Sequence, residues 1–186
     1  MQSEFVPQSP APAPVASAYV PEREKTQEEI LREEGWVGQN FSNGVMPDCY
    51  NYSPSYGSIE NELQVSVGGG TDVVIKVMST FSNQCVRYVY INSGAVYSIR
   101  NIPEGEYYLK IAYGKNWVSK TSGRQCLGKF TSGALYQKGE EILDFNKQFT
   151  VDGYQIQNYR LSLDVQSGRA DNSFNSNSIS EDDFNN

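Results

Sequence analysis

Histidine is absent from this 186-residue chain, and cysteine is limited to three residues. Without histidine, the chain lacks the commonest general base, the commonest partner of a catalytic serine or cysteine, and the usual nitrogen ligand of metals. Arg87 and Arg124 are weak grounds for an activated thiolate at the nearby cysteines. EF-hand, P-loop, Rossmann and nucleophile-elbow patterns are also missing. We therefore predict a protein that is not an enzyme, with no catalytic residue, no cofactor and no metal site.

The cysteines and the chain's hydropathy bear on its compartment. Cys49, Cys85 and Cys126 are too few for a disulfide framework and contain no Cys-x-x-Cys pair, although their spacing leaves open whether any two are bonded. There is no N-terminal signal pattern, and no run approaches the ~18 apolar residues of a membrane span. We expect a cytoplasmic protein without membrane insertion. The alternative is a secreted or periplasmic protein whose signal peptide has been removed.

The net charge of −7 is unevenly distributed. Residues 1–35 hold 3 bases and 7 acids, residues 36–170 hold 12 and 11, and residues 171–186 hold none and 4. The body is therefore nearly neutral between two acidic tails, which is typical of solubilising tails, with docking as the alternative. Because no basic stripe is present, nucleic acid is excluded as an expected partner.

Helix-period runs are almost absent, and the composition is that of a β protein rich in turns. Alternating apolar residues predict strands at 59–67, 72–78, 84–91, 95–100, 107–113, 142–151 and 158–166. The first two are predicted to form a hairpin around Gly68–Gly70. The pattern indicates one all-β domain at 36–166, a single antiparallel β-sandwich of about seven or eight strands.

The flanking segments have other patterns. Residues 1–20 form a Pro/Ala-rich linker in our interpretation, and the role of its prolines stays open. Residues 21–35 are predicted to form a short charged helix, because Pro21 suits a first turn and Gly35 suits a stop. Residues 167–186 are predicted to be a disordered acidic tail.

Two stretches, 36–58 and 115–141, break the strand rhythm and are rich in aromatic residues. We predict that the first covers one end of the sandwich, with a ligand platform as the alternative. The second is longer than an ordinary connection, and such stretches are usually functional or contain secondary structure that the sequence pattern does not reveal. Together they supply our candidate binding surface, which comprises Trp36, Tyr50, Tyr52, Tyr56, Trp117, Phe130 and Tyr136.

The segment Ile102-Pro103-Glu104-Gly105-Glu106-Tyr107-Tyr108-Leu109 fits a tight turn followed by a strand. Here the chain resembles the prealbumin-like, carboxypeptidase-regulatory-like β-sandwich modules, in which a Pro-x-Gly-x-Tyr-x-Leu turn and strand recurs. The resemblance is looser over residues 59–113. It implies a noncatalytic accessory, adhesion or folding-support unit. The body also resembles uncharacterised proteins of the Bacteroidota.

Three functional hypotheses follow. The first is a noncatalytic module that binds another protein through its tails or through residues 115–141. The second is a carbohydrate-binding module that uses aromatic side chains, prompted by 13 tyrosines and two tryptophans. The third is a structural subunit of a larger assembly, joined through unpaired sheet edges.

Overall fold

The computed structural model of this protein describes residues 23–47 and 53–186. These residues form two short helices, α1 (Gln27–Glu33) and α2 (Glu181–Asn185), and thirteen strands. The strands are β1 (Val37–Gly38), β2 (Glu62–Val67), β3 (Asp72–Ser79), β4 (Cys85–Ile91), β5 (Val96–Arg100), β6 (Glu106–Ser122), β7 (Gln125–Gly139), β8 (Leu143–Asp144), β9 (Gln148–Thr150), β10 (Gly153–Gln155), β11 (Tyr159–Gln166), β12 (Arg169–Asn172) and β13 (Ser176–Ser178). The predicted all-β class is confirmed, although several strands are too short to give an alternating sequence pattern.

The strands form two sheets and a separate hairpin. The large sheet has the order β13-β7-β6-β3-β4, with β1 and β8 also paired to β6, and the small sheet has the order β12-β11-β2-β5. Among the described strands, the pairs are antiparallel except for β2 and β11, which run parallel. β9 and β10 pair with each other as a two-stranded unit.

The main core consists of alternate residues from both sheets, as expected for two sheets packed face to face. The small sheet contributes Leu63 and Val65, and the large sheet contributes Val73 and Ile75, all fully buried. The predicted apolar face of β6 lies in the same core and comprises Tyr107, Leu109, Ile111 and Tyr113. Period-two alternation thus identified the inner faces of these strands correctly.

The predicted hairpin between β2 and β3 is wrong. β2 pairs with β5 and β11, whereas β3 pairs with β4 and β6. Gly68–Gly70 instead carries the chain from the small sheet to the large one, and a Cβ on Gly68 would meet the Asp164 carboxylate oxygen at 2.0 Å. Alternation shows which face of a strand is buried but not which strand lies beside it.

The predicted irregular stretch at 115–141 is also wrong, because β6 and β7 continue as one long antiparallel hairpin. Its turn uses Gly123 at φ 61°. A register shift between Tyr113 and Lys115 interrupts the alternation, so that the segment resembles a loop in sequence. The predicted strand at 142–151 is divided into β8 and β9, because Phe145 is buried in the main core between them.

The predicted disorder at 167–186 is wrong as well. β12 pairs with β11, β13 pairs with β7, and the Ser180–Asp183 capping box begins α2. Phe184 is fully buried against the side of the large sheet that faces away from the small sheet. The acidic composition predicted solvation, but the spaced apolar residues find contacts on the sheet. This cover buries Lys110 and Ala112, so that both faces of β6 are buried over this part.

The N-terminal helix is shorter than the predicted 21–35. α1 begins after Thr26, whose side chain accepts from the Glu29 backbone while the Glu29 carboxylate accepts from the Thr26 N–H. No residue of α1 is buried. The start of the predicted helix at Pro21 and the whole linker at 1–20 lie outside the described residues.

Candidate functional site

Two of the predicted binding residues form the centre of a second apolar cluster, which we call the outer cluster. Trp117 of β6 and Phe130 of β7 are direct cross-strand partners whose ring centroids lie 4.9 Å apart in an edge-on arrangement. Trp117 is only 1% exposed, and Phe130 is also buried. The outer cluster comprises Val74, Tyr88, Tyr90, Ala112, Trp117, Phe130 and Phe184. The prediction of a binding surface is therefore wrong for Trp117 and Phe130, whose rings are packing elements.

The backbone of β6 explains why Trp117 lies in the outer cluster. Simple alternation from Tyr113, which lies in the main core, would place Trp117 on the same inner face. A register shift follows Tyr113, and Asn116 has a left-handed backbone with φ 58°. Together they turn the Trp117 side chain to the opposite face of the sheet. Gly114 allows this geometry, because a Cβ there would lie 2.4 Å from the Phe130 Cβ.

The other predicted binding residues lie in separate environments. Trp36 is 7% exposed, and its ring is covered by the ammonium groups of Lys120 and Lys129 at 4.7 and 4.3 Å from the centroid. Tyr56 is 71% exposed, and the Arg87 guanidinium lies 3.9 Å from its ring centroid. Tyr50 and Tyr52 lie outside the described residues.

Tyr136 packs against the outer cluster and completes the aromatic contact with α2. Its ring centroid lies 5.5 Å from that of Phe184, and its hydroxyl donates to the Glu181 carboxylate at 3.3 Å. Burial, followed by the nearby Glu181 charge, raises the pKa of Tyr136. Trp117, Phe130 and Tyr136 are thus brought together, but around the chain's own C-terminal segment.

A cavity of about 520 Å³ lies between α1 and the β1–β6 pair, and we call it the α1 cavity. Its wall combines polar and apolar surface in similar proportion. The described lining residues are Gln27, Glu28, Leu31, Gly38, Gln39, Asn40, Asn116, Trp117, Val118 and Thr131. The Trp117 Nε1–H is buried and has no acceptor among the described residues. Sequence reasoning named Trp117 but missed the lining carboxamides, because they come from three separate parts of the chain.

The β9–β10 hairpin exposes large apolar side chains. Phe149 is 82% exposed and Tyr154 is 55% exposed, and these two residues are direct cross-strand partners. Val151, in the turn between the strands, is fully exposed. The sequence contains the Asp152–Gly153 turn signal, but its alternation resembles that of a half-buried strand. Exposure could be recognised only once the structure showed that neither sheet covers the hairpin.

Charged residues surround the base of this hairpin. The Lys147 ammonium lies 3.2 Å from the Glu104 carboxylate and 5.2 Å from the Tyr154 ring centroid. Residues 140–155 carry four carboxylates and this one lysine, a net charge of −3. The carboxylates belong to Glu140, Glu141, Asp144 and Asp152. The apolar hairpin is therefore set in an acidic surface.

Two buried lysines bind the C-terminal helix. The Lys76 Nζ donates to the Phe184 carbonyl oxygen at 2.7 Å, and the Lys110 Nζ donates to those of Asp183 and Asn186 at 2.5 and 3.1 Å. Burial lowers the pKa of Lys76 to about 8, and burial followed by the Lys138 charge lowers the pKa of Lys110. Cations at the end of a helix stabilise its unpaired carbonyl groups, so holding α2 on the sheet accounts for both buried lysines.

The cysteines differ in state. Cys126, in β7, is disulfide-bonded. Cys85 keeps its thiol, whose Sγ donates to the Arg87 carbonyl oxygen at 3.0 Å. Cys49 lies outside the described residues.

Over residues 23–47 and 53–186, no helix is long and apolar enough to cross a membrane, and no group of three or more His, Cys, Asp or Glu side chains could hold a metal ion. The β9–β10 hairpin lies outside both cores and exposes its apolar side chains. No family model, curated protein or solved structure matches the chain.

Proposed function

We propose that this protein is a noncatalytic module that binds another protein through the β9–β10 hairpin. The observation that carries the proposal is the projecting pair Phe149 and Tyr154 with Val151 at the turn, all of them exposed. Contiguous apolar side chains at a surface are typical of interaction sites. The hairpin takes the place of residues 115–141 and of the C-terminal tail as the proposed binding element, because both of those segments pack on the body.

The stability of the hairpin supports the same proposal. A two-stranded hairpin is marginal in water, because it exposes both faces of its backbone ladder. Every residue of β9 and β10 is exposed. A partner that received the aromatic pair in a groove would bury apolar area and rigidify the hairpin at the same time.

The charges indicate what kind of partner would fit. The net charge of −3 over residues 140–155 favours an apolar groove with lysine or arginine side chains at its rim. Two copies of this chain would bring like charges together, because each carries a net charge of −7. We therefore propose a different protein as the partner, and the structural-subunit hypothesis stays a prediction that a mass measurement in solution would test.

Two observations support a noncatalytic role. The chain has no histidine. The partly buried carboxylate of Asp72 accepts from the Tyr90 hydroxyl at 2.7 Å, from the Ser93 N–H at 2.9 Å and from the Lys115 ammonium at 2.8 Å. Burial raises the pKa of Asp72, but these hydrogen bonds outweigh it and hold the pKa below its usual value. A carboxylate engaged in this way stabilises the fold and is poorly suited to proton transfer.

Carbohydrate binding on an exposed aromatic platform is the weaker candidate. Both tryptophan rings are covered, Trp36 by two lysines and Trp117 by the outer cluster. Stacking against a sugar ring requires an open aromatic face, which neither offers. Tyr56 retains exposure but stands at a different part of the fold, against Arg87.

A photo-crosslinking residue at position 151 in the native host tests the hairpin. The cross-linked protein is purified, and its binding to the wild type, to Phe149→Ser/Tyr154→Ser and to the control Phe81→Ser is measured. Phe81 is 99% exposed in the β3–β4 connection, so its variant removes a comparable exposed ring elsewhere. The double variant should weaken binding by about tenfold or more, and salt should weaken the wild-type complex.

Two results of that experiment would overturn the hairpin as the binding element. One is equal affinity of the double variant and the wild type. The other is the absence of any cross-linked protein that binds saturably in purified form. Circular dichroism confirms that each variant is folded, which its exposed position makes the expected outcome.

We also propose that the protein works in an oxidising compartment, which favours the secreted or periplasmic alternative over the cytoplasm. The supporting observation is the disulfide at Cys126. Structural disulfides form and persist in such compartments and are rare where thiols are kept reduced. Thiol labelling of the protein directly after lysis tests this, because a cytoplasmic protein would have a reduced Cys126.

A further inference from the structure

We propose that Lys147 and Glu104 are positioning residues, which fix the β9–β10 hairpin in the orientation that its partner receives. The Lys147 ammonium, the Glu104 carboxylate and the Tyr154 ring form what we call the Lys147 clamp. This role deepens the proposed function, and its consequence for binding rests on that function. The clamp itself belongs to the free chain, so it can be tested without a partner.

The hairpin has little support of its own. Each strand has three residues, and a two-stranded hairpin is marginal in water. Among the described residues, no hydrogen bond or ion pair joins residues 148–155 to the rest of the chain. Their one ring contact outside the hairpin is that between Tyr154 and Lys147. The orientation of the hairpin therefore depends on this contact and on how the two ends of the segment are held.

Both ends of the segment are fixed to the main core. Phe145, which precedes the hairpin, is fully buried, and its N–H donates to the Gly105 carbonyl oxygen at 2.9 Å. Tyr159, which follows the hairpin, accepts from the Asp144 N–H at 2.8 Å through its hydroxyl. The freedom of the hairpin is confined to the residues between these anchors, so one additional contact can select an orientation.

Lys147 supplies that contact from inside the segment. Its ammonium lies 3.2 Å from Glu104 Oε1, and its N–H donates to Glu104 Oε2 at 3.3 Å, so both oxygens of one carboxylate bind the same residue. The ammonium also lies over the Tyr154 ring, 5.2 Å from its centroid, in a cation–π contact. One cation therefore connects the aromatic face of the hairpin to the turn that carries Glu104.

The positions of the two charges make this connection specific. Glu104 is the neighbour of Gly105, which receives the Phe145 N–H, so the clamp and one anchor share a turn. Lys147 is the one cation of residues 140–155, and no other lysine or arginine of that stretch can replace it. Removing its charge should release the hairpin without disturbing the core.

A preset orientation matters for binding, because a hairpin that samples many orientations binds through only a fraction of them. Ordering on association costs free energy, which a preorganised element avoids. The Lys147 side chain is 27% exposed and that of Glu104 is 42% exposed, so water partly screens the pair. We expect the clamp to raise the affinity for the partner about two- to fivefold, through faster association.

The competing explanation is an ordinary surface ion pair that fixes nothing. The first test measures the ¹H–¹⁵N NOE of residues 148–155 in the full chain, which reports motion on the ps–ns timescale. The variants are Lys147→Met, Glu104→Gln, the combination of the two, and the conservative Lys147→Arg.

Lys129→Met is the matched control. Lys129 lies 4.3 Å from the Trp36 ring centroid and 3.9 Å from the Glu181 carboxylate, and its side chain is 24% exposed. The control therefore removes a lysine of the same contacts and similar exposure at another part of the fold. The NOE of residues 148–155 should stay at its wild-type value in this variant.

We expect Lys147→Met and Glu104→Gln each to lower the NOE over residues 148–155. The combined variant should lower it no further than Lys147→Met does, because both changes break the same clamp. Lys147→Arg should keep the wild-type NOE, since a guanidinium retains both the ion pair and the ring contact.

The second test uses the purified partner captured through position 151. Lys147→Met and Glu104→Gln should each slow association about two- to fivefold and leave the dissociation rate unchanged, because the clamp acts on the free chain. Lys147→Arg should restore the wild-type association rate. Circular dichroism confirms that the variants are folded.

Three results would overturn the clamp. They are an unchanged NOE in both single variants, a combined variant that is more mobile than Lys147→Met, and a loss of affinity that appears only as faster dissociation. The last would make Lys147 a direct contact of the partner. Failure of the proposed function is a separate result, the capture of no partner at position 151, and the NOE of the free chain still decides the clamp.

Discussion

At the scale of single residues, Gly114 and Asn116 decide which face of β6 carries Trp117. Gly114 has φ 153° and Asn116 has φ 58°, and both lie where the pairing of β6 with β7 changes register. Upstream of this point odd-numbered residues lie in the main core, and Trp117 downstream lies in the outer cluster. This local irregularity thus moves the odd-numbered side chains of β6 from the main core to the outer cluster.

Gly114→Ala should be strongly destabilising. The added Cβ would lie 2.4 Å from the Phe130 Cβ and 2.8 Å from the Ser132 carbonyl oxygen, and the backbone conformation is one that alanine rarely adopts. We expect a loss of about 2–4 kcal/mol in the free energy of unfolding, measured with urea. Gly69→Ala is the control, because nothing lies within 4 Å of its added Cβ. Equal stability of the two variants would contradict the described facing of Trp117.

Lys76 is the buried charge with the clearest pH consequence. Burial lowers its pKa from 10.5 to about 8. Between those two values the unfolded state holds a proton that the folded state has lost. The free energy of unfolding therefore increases with pH across this window, since stability increases wherever the unfolded state binds more protons.

The variant Lys76→Met should lose this pH dependence. In the wild type we expect Lys76 to contribute a gain of about 1 kcal/mol between pH 7.5 and 9, a range that ends a full pH unit below the ordinary pKa of tyrosine. The measurement is urea unfolding at both pH values. Lys25→Met removes an exposed lysine instead and should retain the wild-type profile. An undiminished gain in Lys76→Met would show that Lys76 is not buried as a cation.

At the scale of elements, α2 shows how a short helix can be held by tertiary contacts alone. Five residues are too few for a stable isolated helix. Its one buried residue, Phe184, lies 6.4 Å from the Trp117 ring centroid, and Lys76 and Lys110 bind the carbonyl groups at its end. The helix in turn covers the outer cluster.

Phe184→Ala should therefore release the C-terminal segment. Removing a fully buried phenylalanine costs about 3–5 kcal/mol, and part of that cost should appear as faster hydrogen exchange over residues 176–186. Phe81→Ala, at a 99% exposed position, should change stability by less than about 0.5 kcal/mol. Unchanged exchange over 176–186 in Phe184→Ala would refute this role of the side chain.

At the scale of the whole molecule, Cys126 of the long β7 strand is disulfide-bonded. Peptide mapping without reductant should recover the Cys126 peptide joined to a second cysteine-containing peptide, while Cys85 is recovered as a thiol. Cys126→Ser should cost about 2–4 kcal/mol of stability. Cys85→Ser is the control, and reductant should lower its stability by the same amount as it lowers the stability of the wild type. Recovery of Cys126 as a thiol under native conditions would contradict the bond.

Sequence patterns predicted the local features of this fold well. The inner faces of β2 and β6 follow from period-two alternation, and α1 lies within the predicted helical range. The absence of histidine and the lack of a basic stripe are properties of composition that no folding can alter. These inferences succeed because they depend on nearest neighbours along the chain or on residue counts.

What the tertiary structure alone decided is which segments meet. It separated β2 from β3, joined 115–141 into a hairpin, and packed Phe184 of the acidic C-terminal helix against the large sheet. It also covered Trp117 while leaving Phe149 in solvent, although both are aromatic residues that lie in strands. The physical reason is that burial depends on a partner surface supplied from far along the chain. An aromatic residue in the sequence indicates the need for a contact, and the fold determines whether the chain itself or another molecule provides it.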